Sequence, residues 1–126
     1  MNPYLLVAFG GALGSVARYG AGVLVGKVWG STFPLGTMLI NIAGSLAMGL
    51  FVGYLARTTP TWQADARLFV AVGIFGGFTT FSSFSLDAIA MLERGDIGQA
   101  LLYVGVSVVV GIAALYGGLV VMRGGA

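Results

Sequence analysis

The chain has 126 residues, 58% of them hydrophobic and only 8% charged, with a net charge of +2. Soluble domains carry about a quarter charged residues, so this composition belongs to an integral membrane protein. The absence of Cys and His excludes disulfide frameworks, thiolate nucleophiles, zinc clusters and imidazole bases.

Hydropathy divides the chain into four apolar stretches, 4–26, 34–56, 67–92 and 97–122, each long enough for a span of about 20 residues. They form one domain over 1–126, all helical. That is too small to enclose a wide cavity alone, so the size predicts an oligomer. Before the first stretch, Met1-Asn2-Pro3-Tyr4 carries no basic residue, and the stretch reads as a retained span rather than a cleaved signal. Within it lies Arg18, about 21 Å along a helix axis. Such a guanidinium acts either as a clamp on a neighbouring helix or as a fixed positive charge in an aqueous vestibule. Connections are short: Trp29 and Pro34 punctuate the first, Pro60 and Trp62 the second, and Glu93-Arg94-Gly95-Asp96 turns tightly. Trp29, Trp62 and Tyr4 fall where interfacial aromatics sit.

Four spans place Arg57, Arg67 and Arg123 on one side and Lys27 and Arg94 on the other. Three against two barely supplies the Lys/Arg excess that orients membrane proteins. The near balance is compatible with one orientation or with dual topology, in which copies insert both ways and pair as an antiparallel dimer. No basic run marks nucleic-acid or headgroup binding. Glycine pairs four apart, Gly10/Gly14, Gly22/Gly26 and Gly49/Gly53, read as faces for close helix packing in lipid.

Polar residues gather at membrane depth. Thr37, Asn41 and Ser45 share one face of the second span, and Tyr103, Ser107 and Gly111 one face of the fourth. In the third span, Gly76-Gly77-Phe78-Thr79-Thr80-Phe81-Ser82-Ser83-Phe84-Ser85 holds two glycines and five hydroxyl residues in ten positions. Adjacent glycines remove helix propensity, so Gly76 to Thr80 is expected to break the helix and release carbonyls. A monovalent cation, water or neighbouring side chains are equal candidates to satisfy those carbonyls. A single Ser or Thr in a helix bonds its own i−4 carbonyl, but three facing stripes make a narrow, neutral path with donors along it. The stripes are poor in acids, which favours an anion over a cation. The ring edges of Phe81 and Phe84 carry partial positive charge and suit an anion, although a Phe pair at this spacing also serves as plain core.

The Gly14-Ser15-Val16-Ala17-Arg18-Tyr19 segment, Asn41 within Gly36 to Ser45, and the Gly-Gly-Phe-Thr-Thr-Phe-Ser-Ser-Phe-Ser run together resemble the Fluc (CrcB-like) fluoride channels. The resemblance covers essentially the whole chain. It implies a passive fluoride channel in a bacterial inner membrane, a dual-topology homodimer in lipid with two pores lined by both subunits. It implies Phe81 and Phe84 as a phenylalanine box and Asn41 as a pore amide. Tyr103 and Ser107 match fourth-helix pore positions, and Ser82, Ser83 and Ser85 a hydroxyl track; Thr37 is expected on the pore from its place on the second-span stripe. Arg18 matches a vestibule arginine, and the carbonyls of Gly76 and Thr79 match those that hold a structural sodium ion. Asp87 stands where Glu is common in that family, and Ser83 where Thr is frequent.

Two other readings compete. A small dual-topology multidrug transporter needs a carboxylate in its first span, and this first span has none. A non-conducting accessory protein would use the polar stripes for packing alone. An enzyme is disfavoured, because no carboxylate pair, His or Cys supplies acid–base or covalent chemistry.

Overall fold

The computed structural model describes residues 1–30 and 32–124. Four helical stretches are long and apolar enough to cross a membrane: Pro3–Val28, Leu35–Thr58, Gln63–Glu93 and Ile97–Met122. Among the described residues there is no strand. The chain is thus an all-α membrane protein of four spans, with ends at most four residues from the hydropathy expectation.

Local chemistry sets those ends. Helix α1, Pro3–Val28, opens with Pro3 in its first turn and Asn2 as cap, whose Oδ1 accepts from the Tyr4 and Leu5 amides at 2.8 and 3.4 Å. Helix α2, Leu35–Thr58, ends at Thr59 in the left-handed region (φ 42°), and Pro60 prevents continuation. The third span is composite: α3, Gln63–Ala66, a π-helical segment, Arg67–Phe75, α4, Gly76–Phe78, and α5, Phe81–Glu93. Gly95 (φ 85°) then lets the Asp96 amide reach back to Met91 O at 2.9 Å, which closes α5 and turns the chain into α6, Ile97–Met122.

The helices pair off. α2 runs along α6, while α1 runs along the π-helical segment and α4. In lipid there is little apolar driving force between helices, so close backbone contact has to hold them. A Cβ on Gly49 would collide with Leu115 O, and one on Gly118 would lie 2.7 Å from the Leu50 amide. In the other pair, a Cβ on Gly14 would collide with Ile74 O, and one on Gly73 would lie 2.8 Å from Gly10 Cα. The glycine faces at Gly10/Gly14 and Gly49/Gly53 are therefore packing faces. Gly22 and Gly26 are different: nothing lies within 4 Å of the position of an added Cβ. They border a cavity instead.

The break in the third span falls inside the expected stretch, but the glycines do not make it. Gly76 is helical, at φ −63° and ψ −37°, and Gly77 lies inside α4. The extended residues are Thr79 (φ −81°, ψ 156°) and Thr80 (φ −149°, ψ 117°). Branching at Cβ suits extended backbone. The glycines stay helical because intrahelical hydrogen bonds are obligatory in lipid and because Gly77 packs closely, a Cβ there lying 2.7 Å from Gly11 O.

Candidate functional site

The break frees backbone groups that the surrounding helices then engage. An unbroken helix would send the Thr80 amide to Gly76 O and the Ser83 amide to Thr79 O. Here the Thr80 amide donates to Asn41 Oδ1 at 2.8 Å. The Ser83 amide donates to Thr80 Oγ1 at 3.2 Å, the N-cap bond of α5. Both carbonyls thereby lose their helical donors. From α2, Asn41 Nδ2 also donates to Thr80 O at 3.0 Å. From α1, Arg18 Nε donates to Gly77 O at 3.1 Å. Thr79 keeps its amide on Phe75 O at 3.0 Å and its hydroxyl on the same oxygen at 2.9 Å. Gly44 of α2 leaves room for the Thr79 methyl, with which a Cβ would collide.

Two cavities meet at Thr80, which lines both. The larger, about 440 Å³, is bordered by α1, the connection between α1 and α2, the start of α2, and the first half of α5. Its polar wall is Arg18, Thr37, Ser83 and Asp87, and Trp29 and Phe33 border it as well. It has the character of a vestibule with one cation and one carboxylate. The smaller, about 260 Å³, is lined by Asn41, Ser45, Thr79, Thr80, Phe81, Phe84, Ser107 and Val108. It holds no charged side chain. Ser107 Oγ is buried there without a hydrogen-bond partner among the described residues. A hydroxyl in that position is costly to leave unsatisfied, and it presents a donor and lone pairs to whatever enters. Phe81 is 79% exposed, so one wall of this cavity lies at the surface of the chain.

Aromatic rings connect the cavities. Phe33 meets Tyr103 edge-on with centroids 5.7 Å apart, Tyr103 meets Phe84 at 5.1 Å, and Phe84 meets Phe81 at 5.9 Å. Tyr103 is fully buried, and its hydroxyl donates to Asp87 Oδ2 at 3.2 Å.

The sequence-selected residues therefore fall into groups. Asn41, Phe81, Phe84 and Ser107 come together around the small cavity with Ser45. Arg18, Thr37 and Ser83 border the vestibule. Tyr103 lines neither cavity and sits between them, tied to Asp87. Ser85 Oγ donates to Phe81 O at 3.0 Å, the i−4 bond open to any helical Ser, and Ser82 Oγ lies 3.3 Å from Thr80 Oγ1. Neither of these serines lines either of the two cavities. Gly76 and Thr79 flank the break. Sequence reasoning placed Thr80 in the break but not among the site residues, passed over Phe33 and left Asp87 aside. Thr80 carried its signal as a hydroxyl in the broken run and Asp87 as a carboxylate at membrane depth, whereas Phe33 carried none.

The chain matches the family described as CrcB-like protein, Camphor Resistance (CrcB), over residues 5–119. It is 50% identical over 123 residues to a protein of Hyphomonas neptunium named fluoride-specific ion channel FluC, covering 98% of this chain and 97% of that one. It is 48% identical over 120 residues to a protein of Nitrobacter hamburgensis named fluoride-specific ion channel FluC 2, with 95% of this chain and 96% of that one covered. A Caulobacter sp. protein so named is 46% identical over 123 residues, covering 98% and 96%.

Proposed function

The chain belongs to the CrcB-like protein family, and from that premise we propose that it is a passive, fluoride-selective channel of a bacterial inner membrane. The observation that carries the reading is the small cavity. It is uncharged and joins the unpartnered Ser107 hydroxyl to the Asn41 amide and the rings of Phe81 and Phe84. A small anion loses its hydration shell there, and hydroxyl donors with ring edges replace part of it. No carboxylate lines the cavity, which favours an anion over a cation in its path. Arg18 raises the local concentration of anions in the vestibule.

Half of a pore is what one chain offers. Phe81 at the surface calls for a covering partner, and the near-balanced charges favour a second copy inserted the opposite way, giving an antiparallel homodimer with two pores. Ser83 and Thr37 would then carry the ion from the vestibule toward Thr80, and Tyr103, Ser82 and Ser85 support the rings and the break.

The donor set at the break fits a hard monovalent cation. Gly76 O and Thr79 O have both lost their helical donors, and amide oxygens suit such an ion, whereas the neighbouring glycines and threonines offer no soft ligand. Sodium held by these two carbonyls and their counterparts in a second copy would neutralise the exposed dipoles at the break. Its contribution is structural.

Fluoride efflux from liposomes containing only this purified protein, followed with a fluoride electrode and without a proton gradient, tests the reading. Rapid fluoride release with little chloride release is expected. Sealed liposomes at high protein density would return the chain to the accessory-protein reading.

A further inference from the structure

We propose that Asn41 and Arg18 act as a latch that holds the third span open at its break, so that Asn41 serves chiefly as a positioning residue. The part of this inference that concerns sodium rests on the function proposed above; the latch itself does not. An Asn side chain has two N–H donors and two acceptor lone pairs. Asn41 spends one donor and one acceptor on a single residue, giving to Thr80 O at 3.0 Å and taking from the Thr80 amide at 2.8 Å. The pairing copies what a neighbouring strand would do. It also fixes the orientation of the amide group, because a backbone N–H only donates and a carbonyl only accepts.

The bonds decide between two states of the chain. If the Thr80 amide returned to Gly76 O, α4 would propagate through Thr79 and the break would heal toward a continuous helix. Asn41 competes for that amide. Three residues earlier, Arg18 Nε takes up Gly77 O at 3.1 Å, another carbonyl that the break has deprived of its helical donor. Arg18 and Asn41 reach the break from α1 and α2, so the two halves of the bundle hold it from both sides. Gly76 O and Thr79 O, the oxygens left over, lie at or beside the latched residues. Loss of the latch therefore disturbs the carbonyl pair and the wall of the small cavity together.

Asp at position 41 is nearly isosteric, keeps the acceptor for the Thr80 amide and loses the donor to Thr80 O, against which its charge is repulsive. Lys at position 18 keeps the vestibule charge and loses the Nε–H. Hydrogen exchange of the amides from Thr79 to Ser83, read by mass spectrometry on the reconstituted protein, is the direct measurement. Asn41→Asp should raise exchange there about tenfold, the scale of one lost hydrogen bond. Ser107→Ala, which touches the cavity and not the latch, should leave it unchanged. Exchange in Asn41→Asp equal to wild type overturns the latch. Should Asn41→Asp fail to fold, Arg18→Lys carries the test, with a rise of about threefold expected and no change overturning the inference.

The second readout is the melting temperature in sodium compared with a bulky organic cation. Wild type and Ser107→Ala should be stabilised by sodium, and Asn41→Asp should lose that response. If wild type ignores sodium while Asn41→Asp still raises exchange, the cation assignment is wrong and the latch stands. If Asn41→Asp responds to sodium as wild type does, Asn41 does not position the carbonyls and that half of the inference is lost.

Discussion

The two cavities that meet at Thr80 treat charge in opposite ways. The vestibule keeps a guanidinium and a carboxylate, Arg18 and Asp87, in about 440 Å³ of space between α1, the α1–α2 connection, the start of α2 and α5. The inner cavity is smaller and has only hydroxyls, an amide and ring edges. Full charges are tolerable in the wide space, where water screens them, and ruinous in the narrow one, where a fixed cation would trap an anion and a fixed carboxylate would exclude it. A passage that collects ions by charge and then conducts them through neutral donors divides capture from transit.

The sharpest way to break this contrast is to move a charge inward. Ser107→Asp places a carboxylate in the neutral cavity and should lower fluoride efflux about a hundredfold or more. At an effective dielectric near 20, a like charge 4 Å away costs about 4 kcal/mol. Undiminished efflux from proteoliposomes would show that the ion does not use this cavity. Next in size are the rings. Phe81→Ile and Phe84→Ile should each cut efflux about tenfold, the scale of one ring contact beyond mere area. The pair should separate in stability. Phe81 is exposed within one chain and meets only the proposed second copy, so its loss should lower the melting temperature less than that of Phe84, which packs against the buried cluster around Tyr103. Equal melting shifts would mean that Phe81 is covered by structural contacts of similar weight.

Ser107→Ala separates function from folding more gently. Removing a buried hydroxyl without a partner should stabilise the protein by about 1 kcal/mol. Efflux should fall several-fold at the same time, a combination that simple packing damage does not produce. A chemical melt paired with the flux assay reads both. The smallest effect belongs to the vestibule. Asp87→Asn keeps an acceptor for the Tyr103 hydroxyl and removes a negative charge facing the anion. Efflux should rise about twofold at low ionic strength and return to the wild-type rate at high salt, since the Debye length shrinks to about 3 Å at 1 M. A salt-independent change would place the effect in the Tyr103 contact rather than in the field.

Much of this was readable from residues alone because lipid is a demanding solvent. Long apolar runs had to become helices, and Gly10, Gly14, Gly49 and Gly53 had to mark where backbones touch. The run from Gly76 to Ser85 announced irregular backbone, and the polar stripe on α2 and α6 delivered Asn41 and Ser107 to one cavity. The stripes left the detail open. Thr37 went to the vestibule, and Ser85 satisfied itself on Phe81 O. Tyr103 found Asp87 sixteen residues earlier on α5. Helical spacing says which side chains share a face, but it is silent on which neighbour that face meets.

Hydropathy, glycine spacing and the clustering of hydroxyls thus determined the four spans, their close faces and the location of the break within a few residues. These are properties of short windows of chain in contact with lipid. Only the tertiary structure decided that the threonines, rather than the glycines, are extended. It alone decided that Asn41 takes the Thr80 amide, that Arg18 takes Gly77 O, and that Ser107 is left without a partner. Each of those outcomes is a competition for one hydrogen bond between groups 39 to 59 residues apart, or its absence, and such competitions are settled by the way helices from distant parts of the chain come together.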